Sequence, residues 1–319
     1  MATTVLTPLA DPAFARDVAE GLAIGRRKTL PPSWLYDEVG SALFEVITLL
    51  PEYGLTRADA ALLARYSRKI VEAAGSPRAI AELGSGTGTK TRHILEAAAP
   101  ARYFPVDISA SALQQCEAAL GSMDGIRIKP IEASYLDGIG AVLEERRKNE
   151  PILVLFLGST IGNFNRAEAS AFLRNLRARL LPGDTLLLGA DLVKPKAKLL
   201  KAYDDDAGVT AAFNLNLLAR INRELGGNFE VRQFVHEARY NDRQSRVEMH
   251  LRSKIAQTVR IEALELTVPF AAGETIWTES SHKFEPEDIR QLGEDNGWSA
   301  VEQWFDRDWG FAETLFELR

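Results

Sequence analysis

A chain of 319 residues, 46% hydrophobic and 26% charged, has the balance of a soluble globular protein with material for one large core or two domains. Its net charge of −6 gives no reason to expect a nucleic-acid partner. No apolar run approaches the roughly 20 residues of a membrane span, and Asp11 and Asp17 interrupt any leader-like pattern. The single cysteine, Cys116, excludes an internal disulfide and a cysteine zinc cluster. A cytoplasmic location follows by default; a monomer with no membrane partner is expected.

In chain order, Trp34-Leu35-Tyr36-Asp37 and Leu50-Pro51-Glu52-Tyr53 come first and place aromatic residues in an N-terminal segment ahead of any sheet pattern. Strands are then predicted at Ala79–Leu83, Arg102–Val106, Ile126–Ile131, Ile152–Leu157 and Asp184–Gly189, with helices at Thr91–Ala98, Ser109–Leu120, Gly138–Lys148 and Arg166–Leu180. The strand runs at 152 and 184 are almost wholly apolar, as a sheet covered on both faces requires. Strands alternating with helices argue an α/β doubly wound parallel sheet. The rhythm breaks after Asp191. Helices at Lys194–Tyr203 and Gly208–Glu224 precede strand-like alternation at Phe234–Tyr240, Arg246–Ser253, Gln257–Ile261 and Leu264–Val268. It resumes with helix Pro286–Asn296 and a closing pair, Ala300–Phe305 and Ala312–Leu318, patterned as an antiparallel hairpin. An insertion therefore stands between the fifth sheet strand and the last helix, and the N-terminal segment is expected to join it.

The most telling motif is Glu82-Leu83-Gly84-Ser85-Gly86-Thr87-Gly88, followed by Lys90. An apolar strand running into alternating glycines and then a helix leaves backbone bare for a cofactor, with N–H groups at the helix start. Tyr103-Phe104-Pro105-Val106-Asp107 puts a carboxylate at a second strand end about 20 residues on, where nucleotide-binding sheets bind ribose hydroxyls. Nicotinamide dehydrogenases and S-adenosylmethionine (SAM) methyltransferases both use this device. The spacing here is G-x-G-x-G rather than G-x-G-x-x-G, and Glu82 would repel a pyrophosphate but suit a cationic methionine end, so SAM is favoured.

Further along, Gly158-Ser159-Thr160-Ile161-Gly162-Asn163-Phe164 follows the fourth strand, and the Asn163 amide can both donate to and accept from a zwitterion. Gly162-Asn163 also reads as a plain turn. Ala202-Tyr203-Asp204 ends an insertion helix with a tyrosine, which amphipathic packing would equally explain. Glu279 and Ser281, within Thr278–Phe284, would share one face of an extended chain and could hold an ammonium; a polar surface strand is the rival reading. His93, His236, His250 and His282 have no metal-ligand spacing, and no G-x-S-x-G elbow is present. Cys116 lies in an apparent helix and reads as a neutral, buried thiol.

Together, Leu50–Tyr53, Glu82–Gly86 with Lys90, Phe156–Asn163, Leu188–Val193, Ala202–Asn214 and Thr278–Phe284 make the chain resemble, over essentially its whole length, the SAM-dependent histidine Nα-methyltransferases that form hercynine in ergothioneine biosynthesis. The resemblance implies a class I SAM-methyltransferase Rossmann-like sheet with a second, α+β substrate-binding domain. That places residues 58–193 and 283–319 in the first and 1–57 and 194–282 in the second. It implies that L-histidine is trimethylated and that SAM is held by Gly84, Ser85, Gly86, Lys90, Asp107, Ser134 and Tyr135. Tyr53 would meet the imidazole, Asn163 and Tyr203 the carboxylate and head group, and Glu279 and Ser281 the α-amino group. Met249 and Phe213 would line the side-chain pocket, and Tyr36 and Phe44 the methyl-transfer channel.

Catalysis is implied for Glu279, orienting the ammonium and assisting its deprotonation through water or Tyr36. No metal is expected. Two departures stand out. Gly54-Leu55 replaces a tyrosine and proline, which implies a roomier imidazole pocket. Ala133-Ser134-Tyr135 replaces Gly-Asp-Phe, leaving Ser134 or Asp137 to meet the adenine. Methylation of another aromatic amino acid, or of a histidine ring nitrogen, remains open from the sequence, as do a non-catalytic binding protein and a nicotinamide oxidoreductase.

Overall fold

The computed structural model describes residues 11–318 except 24 and 26. Two compact units emerge: one contains the chain up to Tyr53 together with Lys196–Ser280, the other Gly54–Pro195 together with Ser281–Arg319. No helix among the described residues is long and apolar enough to cross a membrane.

In the second unit, strands β1 (Ala79–Leu83), β2 (Ala101–Asp107), β3 (Ile126–Ile128), β4 (Ile131–Glu132), β5 (Ile152–Phe156), β6 (Thr185–Asp191), β12 (Trp298–Asp306) and β13 (Phe311–Leu318) form one eight-stranded sheet. Its order is β12-β13-β6-β5-β1-β2-β3, with β4 also beside β2. The strands from β1 to β6 pair in parallel, while β13 runs antiparallel to β6 and β12 antiparallel to β13. Every residue of β1, β5 and β6 is buried, so their continuous apolar runs have the cause the sequence suggested. The strand expected over Ile126–Ile131 is instead two short pieces. Pro130 has no N–H to give to the ladder, and β3 and β4 pair with β2 on either side of it.

Helices α3 (Leu55–Ala73), α4 (Arg92–Ala98), α5 (Ala110–Leu120), α6 (Tyr135–Glu144), α7 (Arg166–Arg177) and α10 (Pro286–Glu294) accompany the sheet. A capping box fixes the start of α7: Asn165 Oδ1 accepts from Glu168 N–H while Glu168 accepts from Asn165 N–H. The core comprises Ala81, Val106, Val154, Phe156, Leu173, Leu188, Trp298 and Phe316 among others.

The first unit holds α1 (Pro12–Gly21), α2 (Glu38–Leu49), α8 (Lys196–Tyr203) and α9 (Val209–Leu225) with a three-stranded sheet, β11-β8-β7, and a hairpin of β9 (Gln257–Ile261) and β10 (Leu266–Phe270). The three strands are β7 (Phe234–Asn241), β8 (Arg246–Ser253) and β11 (Thr275–His282). Asp37 ties α2 to α9: Oδ1 accepts from Gly40 N–H at the α2 start and from Asn216 Nδ2, both at 2.7 Å, and Oδ2 accepts from Arg223 at 2.6 Å.

Candidate active site

The strand order reverses between β1 and β5: the chain leaves β1 toward β2 on one side and later returns to the other side at β5. Loops at the carboxyl ends of two such strands flank the crevice where doubly wound sheets take ligands. They are 84–91 after β1 and 157–163 after β5.

The glycines of the first loop have a concrete use. Gly84, Gly86 and Gly88 have φ of 74°, 51° and 66°, a region costly for side chains. A Cβ on Gly88 would stand 2.6 Å from Cys116 Sγ, so the turn also needs the close approach. Gly86 N–H donates to Asp107 Oδ2 (3.0 Å), and Ser109 N–H donates to Oδ1 (2.9 Å). The half-buried Asp107 carboxylate therefore fixes the loop and opens α5 while keeping lone pairs for a further donor. Ser85 Oγ is buried and has no hydrogen-bond partner among the described residues. An orphaned hydroxyl beside bare backbone and a carboxylate suits a polar cofactor, and the loop fits SAM on that ground.

Tyr135 stands against Gly84, its ring 3.3 Å from where a Cβ would lie. Burial, then the Asp107 charge, push its phenol up to about 12, so it is a neutral donor. Ser134 Oγ donates to Asp137 Oδ2 (2.6 Å), so the two residues considered for adenine form one exposed pair.

Glu82 corrects the sequence reading. Its side chain is fully buried and turned away from solvent, accepting from Thr91 Oγ1 (2.7 Å) and from the Tyr103 hydroxyl. Burial, opposed by Lys90 and these hydroxyls, leaves its pKa raised to about 7. Glu82 is a buttress under the loop, not a surface charge for a methionine group. Cys116 is buried as expected, with its thiol pushed up to about 12 by burial and then by Glu82.

The second loop carries Asn163 at the end of a 3-10 turn, Thr160–Asn163, half-buried. Ser281 is buried, and its Oγ accepts from Lys283 Nζ (2.8 Å), which also pairs with Asp191 Oδ2 (2.9 Å). Asp191 also accepts from Lys194 and from Trp309 Nε1 (2.9 Å). Burial alone would raise its pKa; Lys283 and Lys194 outweigh that and lower it. Trp309 also answers the departure at Gly54. A Cβ there would lie 2.2 Å from Trp309 Cε3, so an indole fills the expected extra room.

In the first unit, five rings from distant segments meet. Tyr36 lies edge-on to Phe44 and to Phe213, both at 5.4 Å between centroids; Phe44 lies 6.4 Å from Tyr53 and 6.1 Å from Phe213; Tyr53 lies 6.1 Å from Tyr203. Tyr53, Tyr203, Phe213 and Met249 are buried. Tyr203 ends α8, and its carbonyl accepts from His236 Nε2–H (2.7 Å), while His236 Nδ1 accepts from Asn214 Nδ2 (2.9 Å). A carbonyl cannot donate, so the tautomer is set; burial also lowers the His236 pKa, keeping the ring neutral. Glu279 lies in β11, half-buried, and the carbonyl of Met249 accepts from Thr278 Oγ1 in the same strand (3.1 Å). No cluster able to hold a metal exists among the described residues.

Residues 14–318 match the family model described as histidine-specific methyltransferase, SAM-dependent. The chain belongs to that family. It is similar to histidine N-alpha-methyltransferase of Mycolicibacterium smegmatis, 45% identical over 95% of this chain and 94% of that one. Ergothioneine biosynthesis protein 1 of Schizosaccharomyces pombe is 30% identical over 88% of this chain and 37% of its own length. L-tryptophan methyltransferase of Psilocybe serbica is 27% identical over 88% of this chain and 85% of that one.

The sequence reading passed over Asp59 and Trp309. Asp59 had a signal: it falls on the apolar face of α3, among Leu55, Ala58, Leu62 and Leu63, where a carboxylate needs a partner. Trp309 had none, since its contact with Gly54 arises only on folding.

Proposed function

We propose that the protein transfers methyl groups from SAM to the α-amino nitrogen of L-histidine, three in succession, to give hercynine on the way to ergothioneine. When bound, SAM supplies an activated methyl group and its own leaving group. The chain must then supply geometry and a neutral amine. Gly84, Ser85, Gly86, Lys90 and Asp107 hold the cofactor, with Tyr135 against the loop and Ser134 toward the adenine. Tyr53, Phe213 and Met249 receive the imidazole, and Asn163 and Tyr203 receive the carboxylate and head group.

Glu279 and Ser281 orient the α-amino group, and Tyr36 with Phe44 borders the path of the methyl. An α-amine is mostly protonated at neutral pH and must lose a proton before each transfer. A carboxylate stabilises the ammonium, so Glu279 serves orientation first and proton removal second, by way of water or the Tyr36 hydroxyl. Its attraction persists as methyls accumulate, because the product keeps its charge, and aromatic faces tolerate a methylated ammonium.

The observation that carries the reading is the ring cluster of Tyr36, Phe44, Tyr53, Tyr203 and Phe213, gathered in one unit from two separate stretches of chain. Incubation with SAM and each of the twenty amino acids, read by mass, tests it. Gains of one, two and three methyl groups on histidine alone are expected. Methylation of tryptophan or tyrosine in preference to histidine, or one methyl on the ring nitrogen, would overturn it.

A further inference from the structure

Asp59 is a fully enclosed carboxyl beside the cofactor loops, and it touches both. It enters from the first turns of α3, fully buried. Its Oδ2 accepts from Lys90 Nζ at 2.6 Å and from Gly158 N–H at 3.0 Å. Lys90 belongs to the loop after β1 and Gly158 to the loop after β5, the two strands between which the strand order reverses. One carboxylate oxygen thus links the two loops that flank the crevice.

The backbone is shaped for this. Gly158 and Ser159 have φ of 69° and 59°, consecutive left-handed residues that turn the Gly158 N–H toward the carboxylate. A Cβ on Gly158 would lie 3.1 Å from Lys90 Nζ, so the ammonium rests directly on this turn. Lys90 keeps 22% of its side chain exposed; with three N–H donors, it can satisfy Asp59 and still present a donor outward.

Glu313 of β13, fully buried, has its carboxyl pushed well up by burial and by the Asp59 charge, and Glu82 is raised to about 7. Burial alone would lower the Lys90 pKa, but Asp59 and then Glu82 more than reverse this and hold it cationic. Stability alone is a poor account of the pair, since buried ion pairs are often replaceable by apolar residues at no loss.

We propose that Asp59 is a positioning residue for cofactor binding, clamping Lys90 and the Gly158 turn so that the two loops flanking the crevice are set before SAM arrives. The proposal rests on the reading that the glycine loop holds SAM. Asp59 touches no substrate; it acts through Lys90 and Gly158.

The test is a cycle of Asp59→Asn, Lys90→Met and the double variant, which carries neither buried charge and serves as the folding control. Calorimetry gives S-adenosylhomocysteine affinity, and steady-state kinetics give separate KM values for SAM and histidine. Asp59→Asn is expected to weaken S-adenosylhomocysteine by about tenfold and raise KM for SAM, with KM for histidine within about twofold. Added to Lys90→Met, it should cost nothing further. Unchanged S-adenosylhomocysteine affinity in Asp59→Asn, an equal rise in both KM values, or losses that simply add would overturn the proposal. Asp107→Ala separates the two levels: if that variant binds S-adenosylhomocysteine normally, the loop assignment itself fails; if it binds poorly while Asp59→Asn binds normally, only the role of Asp59 fails.

Discussion

Replacing Glu82 by glutamine should make the protein more stable at alkaline pH, and the size of the effect follows from where the side chain sits. Glu82 is fully buried and its pKa is raised from 4.5 to about 7, chiefly by burial. Between those values the folded chain holds a proton that the unfolded chain has lost. Its contribution is therefore complete below about pH 4.5 and disappears as the pH rises through about 7. At about 1.4 kcal/mol per pH unit, the loss is roughly 3 kcal/mol.

In Glu82→Gln the new amide would keep an oxygen for Thr91 Oγ1 and the Tyr103 hydroxyl, with no proton to lose. Urea unfolding of both proteins from about pH 5 to pH 8 should show the variant gaining on the wild type by about 2.5 kcal/mol. Buried His236 and His250, both with lowered pKa values, give wild type and variant the same opposite slope, which cancels in the difference. A difference that stays flat within about 0.5 kcal/mol would refute the reasoning, because a carboxylate already ionised at pH 5 could not be the buried neutral group described.

Asp107→Ala removes the acceptor for Gly86 and Ser109 N–H, each a charge-assisted bond of about 1.5–3 kcal/mol; calorimetry should show S-adenosylhomocysteine affinity falling by about 100-fold. Asp107→Asn, which retains one acceptor, should lose less. Glu279→Ala should slow methyl transfer and weaken histidine binding by about tenfold while leaving S-adenosylhomocysteine affinity nearly intact, and calorimetry showing unchanged histidine binding would remove its assigned role. Gly54→Ala has no backbone cost, since φ is −76°, yet its Cβ meets the Trp309 ring. A loss of about 2 kcal/mol on urea unfolding is expected, at least halved in a Trp309→Leu background.

The sheet was legible because its strands announce themselves chemically. Ile152–Phe156 and Thr185–Asp191 are buried on both faces and so carry little polar content. The position of Asp107 at the end of a mostly apolar strand was legible, but its bonds to Gly86 and Ser109 N–H were not. Other features depend on partners far away in sequence. β11 alternates buried and half-buried residues from Thr275 to Thr278 but not from Glu279 to His282, and the boundary between the units falls within it, after Ser280. A period-2 pattern cannot be read across such a change. Glu82 was read as facing a ligand because sequence gives position but not side-chain direction; Thr91 and Tyr103 decide that direction. The Gly54 departure was read as space because the sequence cannot show that Trp309 comes to lie over it.

The loop after β5 shows how much of a site's accuracy lies in residues that face away from it. Gly158 N–H is held by Asp59, and Ser159 Oγ accepts from Asp191 N–H at 2.9 Å. The Gly162 carbonyl accepts from His282 Nδ1–H at 2.9 Å, which also fixes that imidazole's tautomer. A Cβ on Gly162 would stand 2.8 Å from the His282 carbonyl, so the two segments pass too closely for any other residue. Asn163 is thus delivered by backbone anchored on both sides, to α3, β6 and the end of β11. The role proposed for Asn163, donating to one part of a zwitterion and accepting from another, gains nothing from mobility, because each wrong orientation puts like dipoles together. The rigidity is built from buried charge and tight turns, whereas the rings of Tyr36, Phe44, Tyr53, Tyr203 and Phe213 achieve theirs by packing. That division suits the roles proposed for them: a charged head group is discriminated by the direction of hydrogen bonds, and an aromatic side chain by shape.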